Sequence, residues 1–204
     1  STFIKRFMEL LVIPKIEDEN ERRLCIDELP QSSGGRTIMT TEPKFIPKEA
    51  ATIAINDDCR LNVRLIDCVG FMADGAKGHI ENEQERLVKT PWSEESIPFS
   101  QAAEIGTRKV INDHSTIGIV ITSDGSFGDI ERKSYEEAEN KAIDELKAIG
   151  KPFIVLLNSS KPYSIETAKL ADEISREKNV ACIPINCEQL KKEDITEIMY
   201  SILM

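Results

Sequence analysis

The residues of this chain best suited to chemistry lie in LNVRLIDCVGFMADG, residues 61–75. Leu61, Val63 and Leu65 alternate with Asn62, Arg64 and Ile66, which predicts a strand with one mostly apolar face. The strand runs into Asp67, and Gly70 follows three residues later. At this spacing the carboxylate can face a magnesium ion while the Gly70 N–H faces a terminal phosphate. The same residues can also do less, because aspartates end strands by capping turns and glycine supplies positive φ. D-x-x-G is short, so the choice depends on the rest of the chain.

A second candidate stands at the first two positions. Ser1 and Thr2 lead directly into a pattern in which Phe3, Phe7, Met8 and Leu11 recur at helical spacing, with Lys5, Arg6 and Glu9 between them. A phosphate-binding loop, G-x-x-x-x-G-K-[ST], opens into a helix whose N-terminal N–H groups help to hold phosphates. In that pattern Ser1 is the magnesium ligand, and the glycines and lysine precede residue 1. As an ordinary N-cap, Ser1 would need no such role.

The elements that must position these residues follow from periodicity. Pro14 ends a helix over 2–12, and a charged stretch over 15–29 leads into the polar loop QSSGGRTIMTTEPKF, 31–45. Residues 51–56 and 61–66 read as antiparallel strands joined by the turn-prone NDDCR. A polar segment holding Trp92 precedes a helix over 99–112. TIGIVIT (116–122), FIVLLN (153–158) and ACIPIN (181–186) are short, nearly continuous apolar runs, the mark of buried parallel strands. Ser134 with Glu137 reads as a capping box opening a helix that Gly150 and Pro152 close. Further helices are expected near 164–178 and 189–203. Strands alternating with helices imply an α/β domain with a parallel sheet, 63–67 running parallel to the three buried strands. Ligands of such sheets sit at the carboxyl ends of the strands, where Asp67, Asp124, Asn158 and Asn186 all fall. Asp124 and Gly125 read as a turn, Trp92 as a core anchor and Lys77 as a solvated lysine.

Composition excludes several classes. A chain of 204 residues suits one large domain, or one domain with an inserted lobe. A net charge of −10 argues against holding nucleic acid by phosphate neutralisation, and equally against docking on anionic lipid. The five cysteines (25, 59, 68, 182 and 187) have no C-x-x-C spacing, and with only two histidines no zinc site is expected; reduced thiols of a cytosolic protein fit best. No run is long and apolar enough for a transmembrane helix, and Lys5 and Arg6 interrupt what would be the apolar core of a signal peptide. The chain begins inside a helical pattern without an initiator Met, so it reads as a fragment of a longer protein.

Order adds what single motifs lack. A serine entering a helix, paired threonines in a polar loop, a hairpin ending in Asp67, D-x-x-G and three more buried strands follow the element order of P-loop nucleotidases. Pairing of the second and third strands in a hairpin marks their translation-factor-related branch. Moreover, ELPQSSGGRTIMTTEPKF, VRLIDCVGF, TPWSEESIPF, AAEIGTRKVI and HSTIGIVIT closely resemble the N-terminal part of the stage IV sporulation protein A family. The likeness runs through essentially the whole chain in one register. It implies an ATPase that forms the basement layer of the spore coat in endospore-forming bacteria.

The resemblance implies a three-layer α/β P-loop NTPase domain over 1–204, with a mixed, mostly parallel sheet and one antiparallel strand. Its first strand and most of its phosphate loop would precede residue 1. Ser1 and Thr2 would bind nucleotide, Ser1 also ligating Mg²⁺. Thr41 or its neighbour Thr40 would be the switch threonine that senses the γ-phosphate, Thr41 also serving the metal. Asp67 would hold Mg²⁺ through water, Gly70 would offer its N–H to the γ-phosphate, and Asn158 would order the base loop. The implied cofactors are ATP and Mg²⁺. The implied partners are further copies of the protein in a polymer, other spore coat proteins and a small membrane-bound anchor peptide, the last two through regions outside this chain. The implied place is the mother-cell cytoplasm at the forespore surface.

Two departures qualify the likeness. Many relatives carry Gln or His after D-x-x-G to orient the attacking water; here the residue is Phe71, which cannot polarise water, so slow turnover is expected. Guanine-specific relatives read N-K-x-D, whereas this chain reads Asn158-Ser159-Ser160-Lys161. Lysine has no acceptor for guanine, in agreement with ATP use. A scaffold that no longer hydrolyses nucleotide is the competing function, with Phe71 in its favour. A regulatory GTPase switch is another, opposed by Lys161. Residues 186–188 could supply adenine contacts of their own.

Overall fold

The computed structural model describes residues 1–30, 42–54, 59–76, 78–81 and 83–203. Thr40 and Thr41, expected as switch threonines, together with Lys77 and most of the turn between the first two strands, lie outside them. The chain divides into two compact units, one from the described parts of 1–32, 44–67 and 186–204, the other from those of 33–43 and 68–185.

In the first unit, helix α1 (Thr2–Phe7) passes into a π-helical turn, Met8–Val12, and then a 3-10 turn, Ile13–Lys15, that holds Pro14. Phe3, Ile4, Phe7, Met8, Leu11 and Val12 are all buried, as the helical spacing requires. Helix α2 (Glu19–Asp27) arises inside the stretch expected to be merely charged. Asp18 caps it by accepting the Glu21 N–H at 2.8 Å. With Cys25 its only buried residue, α2 carries no apolar stripe for a periodicity argument to find.

Strands β1 (Lys44–Ala54) and β2 (Arg60–Asp67) pair antiparallel, from Lys44 opposite Asp67 to Ala54 opposite Arg60. The expected pairing of 51–56 with 61–66 is therefore found through Ala54, and β1 starts earlier than expected. The register shifts between Ile46 and Ala51, where Pro47 has no N–H to give the ladder.

The second unit contains two hairpins absent from the sequence reading. Strands β3 (Ile80–Glu81) and β4 (Gln84–Glu85) form one, and β5 (Leu87–Thr90) and β6 (Ser93–Pro98) the other. Trp92 sits half-buried in the turn between β5 and β6, its backbone N–H donating to Thr90 Oγ1 at 3.3 Å, rather than anchoring the core. Helix α3 (Phe99–Lys109) follows and ends in a π turn, Val110–His114.

Strands β7 (Gly118–Ser123), β8 (Phe153–Asn158) and β9 (Cys182–Ile185) make a parallel sheet in that order. Ser123, Asn158 and Ile185 lie in line at its carboxyl end. Ile154 to Leu157 of the central strand are fully buried. Helices α4 (Glu136–Ala148) and α5 (Ile165–Lys178) supply Ile143, Leu146, Ala171 and Ile174 to the core formed with Val120, Val155 and Leu157. Gly118 is required by close approach, since a Cβ there would lie 2.8 Å from both Leu146 methyl carbons. Helix α6 (Lys192–Leu203) returns to the first unit.

Two expectations need correction. Strand β2 pairs with β1 in one ladder and β7–β8–β9 form another, so a single mixed sheet containing 63–67 is not formed among the described residues. Loop length and apolar pattern give the direction of each pairing, but strand neighbours depend on packing distant in sequence. The Ser134–Glu137 capping box is absent too. Ser134 lies in a 3-10 turn, Arg132–Tyr135, and helix α4 begins at Glu136 without a side-chain cap. The Ser134 N–H donates to Glu131 O and its carbonyl accepts the Asp74 N–H, each at 3.0 Å.

Candidate functional site

The start of α1 and the end of β2 meet in the first unit. Ser1 occupies the N-cap position, yet its hydroxyl makes no cap bond to the helix. It donates instead to Asp67 Oδ2 at 2.7 Å. The Ser1 nitrogen lies 3.5 Å from Asp67 Oδ1, with the two side chains 44% and 20% exposed. A hydroxyl and a carboxylate thus converge at a solvent-reachable point, both oxygen donors suited to a hard cation. Thr2 is the first residue of α1.

Gly70 belongs to the second unit and has φ of +82°, which disfavours any residue with a Cβ. A Cβ there would have nothing within 4 Å, so backbone conformation rather than crowding makes the demand for glycine. Phe71 is partly buried against the core of β7, β8 and the helices.

At the carboxyl end of the parallel sheet, Asn158 closes β8, and its carbonyl accepts the Asp124 N–H at 3.2 Å. The expected turn at Asp124-Gly125 is present, with Gly125 at φ +84°. Asp124 Oδ1 accepts the Ser126 N–H at 2.9 Å and the Ser126 hydroxyl at 2.5 Å. Burial on its own would raise the Asp124 carboxyl, but hydrogen bonds from the hydroxyls of Ser126 and Ser159 and from the Ser126 N–H outweigh it, and the carboxyl is held below the usual aspartate range.

The segment Asn158-Ser159-Ser160-Lys161, expected to stand where guanine readers carry N-K-x-D, is tightly bonded. Ser159 is fully buried, and its N–H donates to Ile185 O at 2.8 Å. Its hydroxyl lies 3.2 Å from Thr167 Oγ1 and accepts the Lys161 N–H at 3.0 Å. Thr167 in turn donates to Lys161 O at 3.1 Å, and Ser164 caps α5. The Ser160 N–H donates to the Ser126 hydroxyl at 2.8 Å. Asn186 lies in the first unit, where its side-chain oxygen accepts the N–H groups of Glu188 and Gln189 in its own turn.

Sequence reasoning missed Ser126, Ser159 and Thr167. Ser164-x-x-Thr167 before a helical pattern was a legible cap signal, whereas nothing local marks Ser159 as a hub. It also missed Arg132, whose guanidinium makes two hydrogen bonds to Glu139, at 2.7 and 3.0 Å, and a third to Thr122 Oγ1 at 3.0 Å.

A parallel α/β sheet flanked by helices, with a helix-start hydroxyl bound to a strand-end carboxylate, is consistent with a P-loop NTPase-like domain. Residues 1–204 match the family described as stage IV sporulation protein A, ATPase domain, and the chain belongs to that family. It is 51% identical over 199 residues to stage IV sporulation protein A of Bacillus anthracis, covering 98% of this chain and 40% of that protein. The protein of the same name from Bacillus subtilis (strain 168) is 50% identical over 199 residues, with the same coverage. That from Clostridioides difficile (strain 630) is 51% identical over 203 residues, covering 100% of this chain and 41% of the relative. The chain therefore spans about two fifths of the length of these relatives. No solved structure matches it significantly. Family membership ties the chain to sporulation and to an ATPase domain. Among the described residues, no helix is long and apolar enough to cross a membrane.

Proposed function

We propose that this chain is the nucleotide-binding part of a Mg²⁺-dependent ATPase whose slow hydrolysis drives self-assembly into the basement layer of the spore coat. The single observation that carries the reading is the 2.7 Å bond between the Ser1 hydroxyl and Asp67, made in place of a helix cap. Two oxygen donors suit Mg²⁺, which keeps several waters and takes its remaining ligands from substrate phosphates. Ser1 and Asp67 are the residues that would hold it, and the ion would neutralise charge on the phosphates of ATP. Thr2 joins Ser1 in binding nucleotide. Gly70 offers its N–H to the terminal phosphate, a role carried by the family likeness. Thr40 or Thr41 senses that phosphate and Thr41 supports the metal, roles that rest on the family likeness alone.

Asn158 ends the strand that carries the base loop, and Lys161 supplies no acceptor to guanine, which supports ATP over GTP. Polymer formation, contact with other coat proteins and with a small membrane-bound anchor peptide, and placement in the mother-cell cytoplasm at the forespore surface complete the reading. The contacts with coat proteins and anchor use regions outside this chain. A second reading, a scaffold that binds without hydrolysing, has one observation in its favour: Phe71 follows D-x-x-G and packs against the core instead of offering a polar group to water. Phosphate release from ATP and from GTP by the full-length protein, with and without Asp67→Ala, separates the two. ATP-dependent release lost in the variant supports the ATPase; no release from the unmodified protein overturns it.

A further inference from the structure

We propose that Ser126 is a positioning residue for the nucleotide base: its hydroxyl ties the 158–161 loop to the end of β7 and so holds the base-reading residues in place. The proposal rests on the ATP reading above. An ionised carboxylate only accepts, so at 2.5 Å the Ser126 hydroxyl must spend its hydrogen on Asp124. Its oxygen is then left to accept, and it takes the Ser160 N–H at 2.8 Å. The bridge thus has one possible polarity, from Ser160 through Ser126 to Asp124. The hydrogen bonds that keep the Asp124 carboxyl below its ordinary range keep it an acceptor at neutral pH.

The turn that presents Ser126 is itself fixed. Gly125 has φ of +84°, and a Cβ on it would come within 2.7 Å of the backbone nitrogen of Arg132. Arg132 is anchored by its guanidinium to Glu139 and Thr122. On the other side, the loop hangs from α5 through Thr167 and from β9 through Ile185 O. Ser160 is the residue between the Ser159 hub and Lys161, and Ser126 holds its N–H from the sheet side. Ser126 is exposed and fills no core space, so its bond to Ser160 orders a surface loop rather than stabilising the interior. A loop that must offer fixed polar groups to a base gains affinity from being ordered beforehand.

The test uses steady-state ATP hydrolysis by the full-length protein, with inorganic tripolyphosphate as a competitor that has no base. Ser126→Ala should raise the KM for ATP about fivefold, the worth of one net hydrogen bond, with kcat and melting temperature little changed. Inhibition by tripolyphosphate should be unaltered, and Ser126→Thr should restore the KM. Should Ser126→Ala fail to fold, Asp124→Asn, which removes the charge from the bridge, should raise the KM in the same direction. An unchanged KM, or an equal loss of tripolyphosphate binding, overturns the proposal. Lys161→Asp measured alongside separates the two levels. If it shifts the ratio of GTP to ATP use while Ser126→Ala does nothing, the bridge alone is wrong. If it leaves the ratio unchanged, the base-loop reading fails and this inference falls with it.

Discussion

The Ser1 hydroxyl reaches across 66 positions of sequence to bond Asp67 at 2.7 Å, leaving the first turn of its own helix without a side-chain cap. Such a bond between the start of a helix and the end of a strand places two hard oxygen donors together before any metal arrives. Replacing either one removes a ligand of the proposed Mg²⁺ site. Asp67→Ala and Ser1→Ala in the full-length protein should each lower the rate of phosphate release on the order of a hundredfold, since metal charge stabilisation contributes several kcal/mol. A malachite-green assay at saturating ATP checks this, and activity within twofold of the unmodified protein would count against the site.

Base selection should answer to a single side chain. Lys161 follows a loop whose backbone is held by Ser159 and Thr167, so a substitution at its tip changes chemistry without reshaping the turn. Lys161→Asp supplies the carboxylate that accepts from guanine and should raise GTP use relative to ATP roughly tenfold. Competition between the two nucleotides in one reaction measures the ratio directly.

Breaking the buried Arg132–Glu139 pair from one side should be costly to the second unit. Its side chains are 18% and 2% exposed, with the closest N–O distance 2.7 Å. Arg132→Ala leaves a buried carboxylate unpaired and should cost about 3–5 kcal/mol. Removing both charges together, as Arg132→Met with Glu139→Leu, should recover most of that loss. Urea denaturation of the single and double variants decides the point; equal losses in both would show that packing, not charge, governs the site.

Acid should loosen the sheet edge through Asp124. Its folded pKa lies below the ordinary value, so as pH falls the unfolded chain takes up the proton first. The stabilisation is fully present above the unfolded carboxyl range, about 3.9, and disappears as pH drops through the lower folded value. Asp124→Asn should flatten this part of the acid limb and leave stability near pH 7 without that contribution. Denaturation midpoints measured from pH 2 to pH 7 in both proteins test the sign.

Much of the framework was legible because it depends on neighbours in sequence. Alternation along 61–66 and the polar turn before it specify an antiparallel pair, found from Ala51 opposite Val63 to Ala54 opposite Arg60. The unbroken apolar run of 153–157 specifies a strand covered on both faces, and β8 occupies it together with Asn158. Asp67 ends its strand, Gly70 takes a left-handed conformation and Asp124-Gly125 turns, each from local backbone preference.

What only the tertiary structure decided were choices among partners. Ser1 had an adequate local use as a cap and was given to Asp67 instead. Ser134 and Glu137 had the spacing of a capping box, yet the chain formed a 3-10 turn there, with Ser134 bonded to Glu131 and Asp74. Ser126, Ser159 and Thr167 are ordinary polar residues in sequence, and they become a network only when the ends of β7 and β8 and the start of α5 are brought together. A hydroxyl carries the same hydrogen-bonding capacity everywhere, so its sequence neighbourhood states what it can bond and the fold selects which bond it makes.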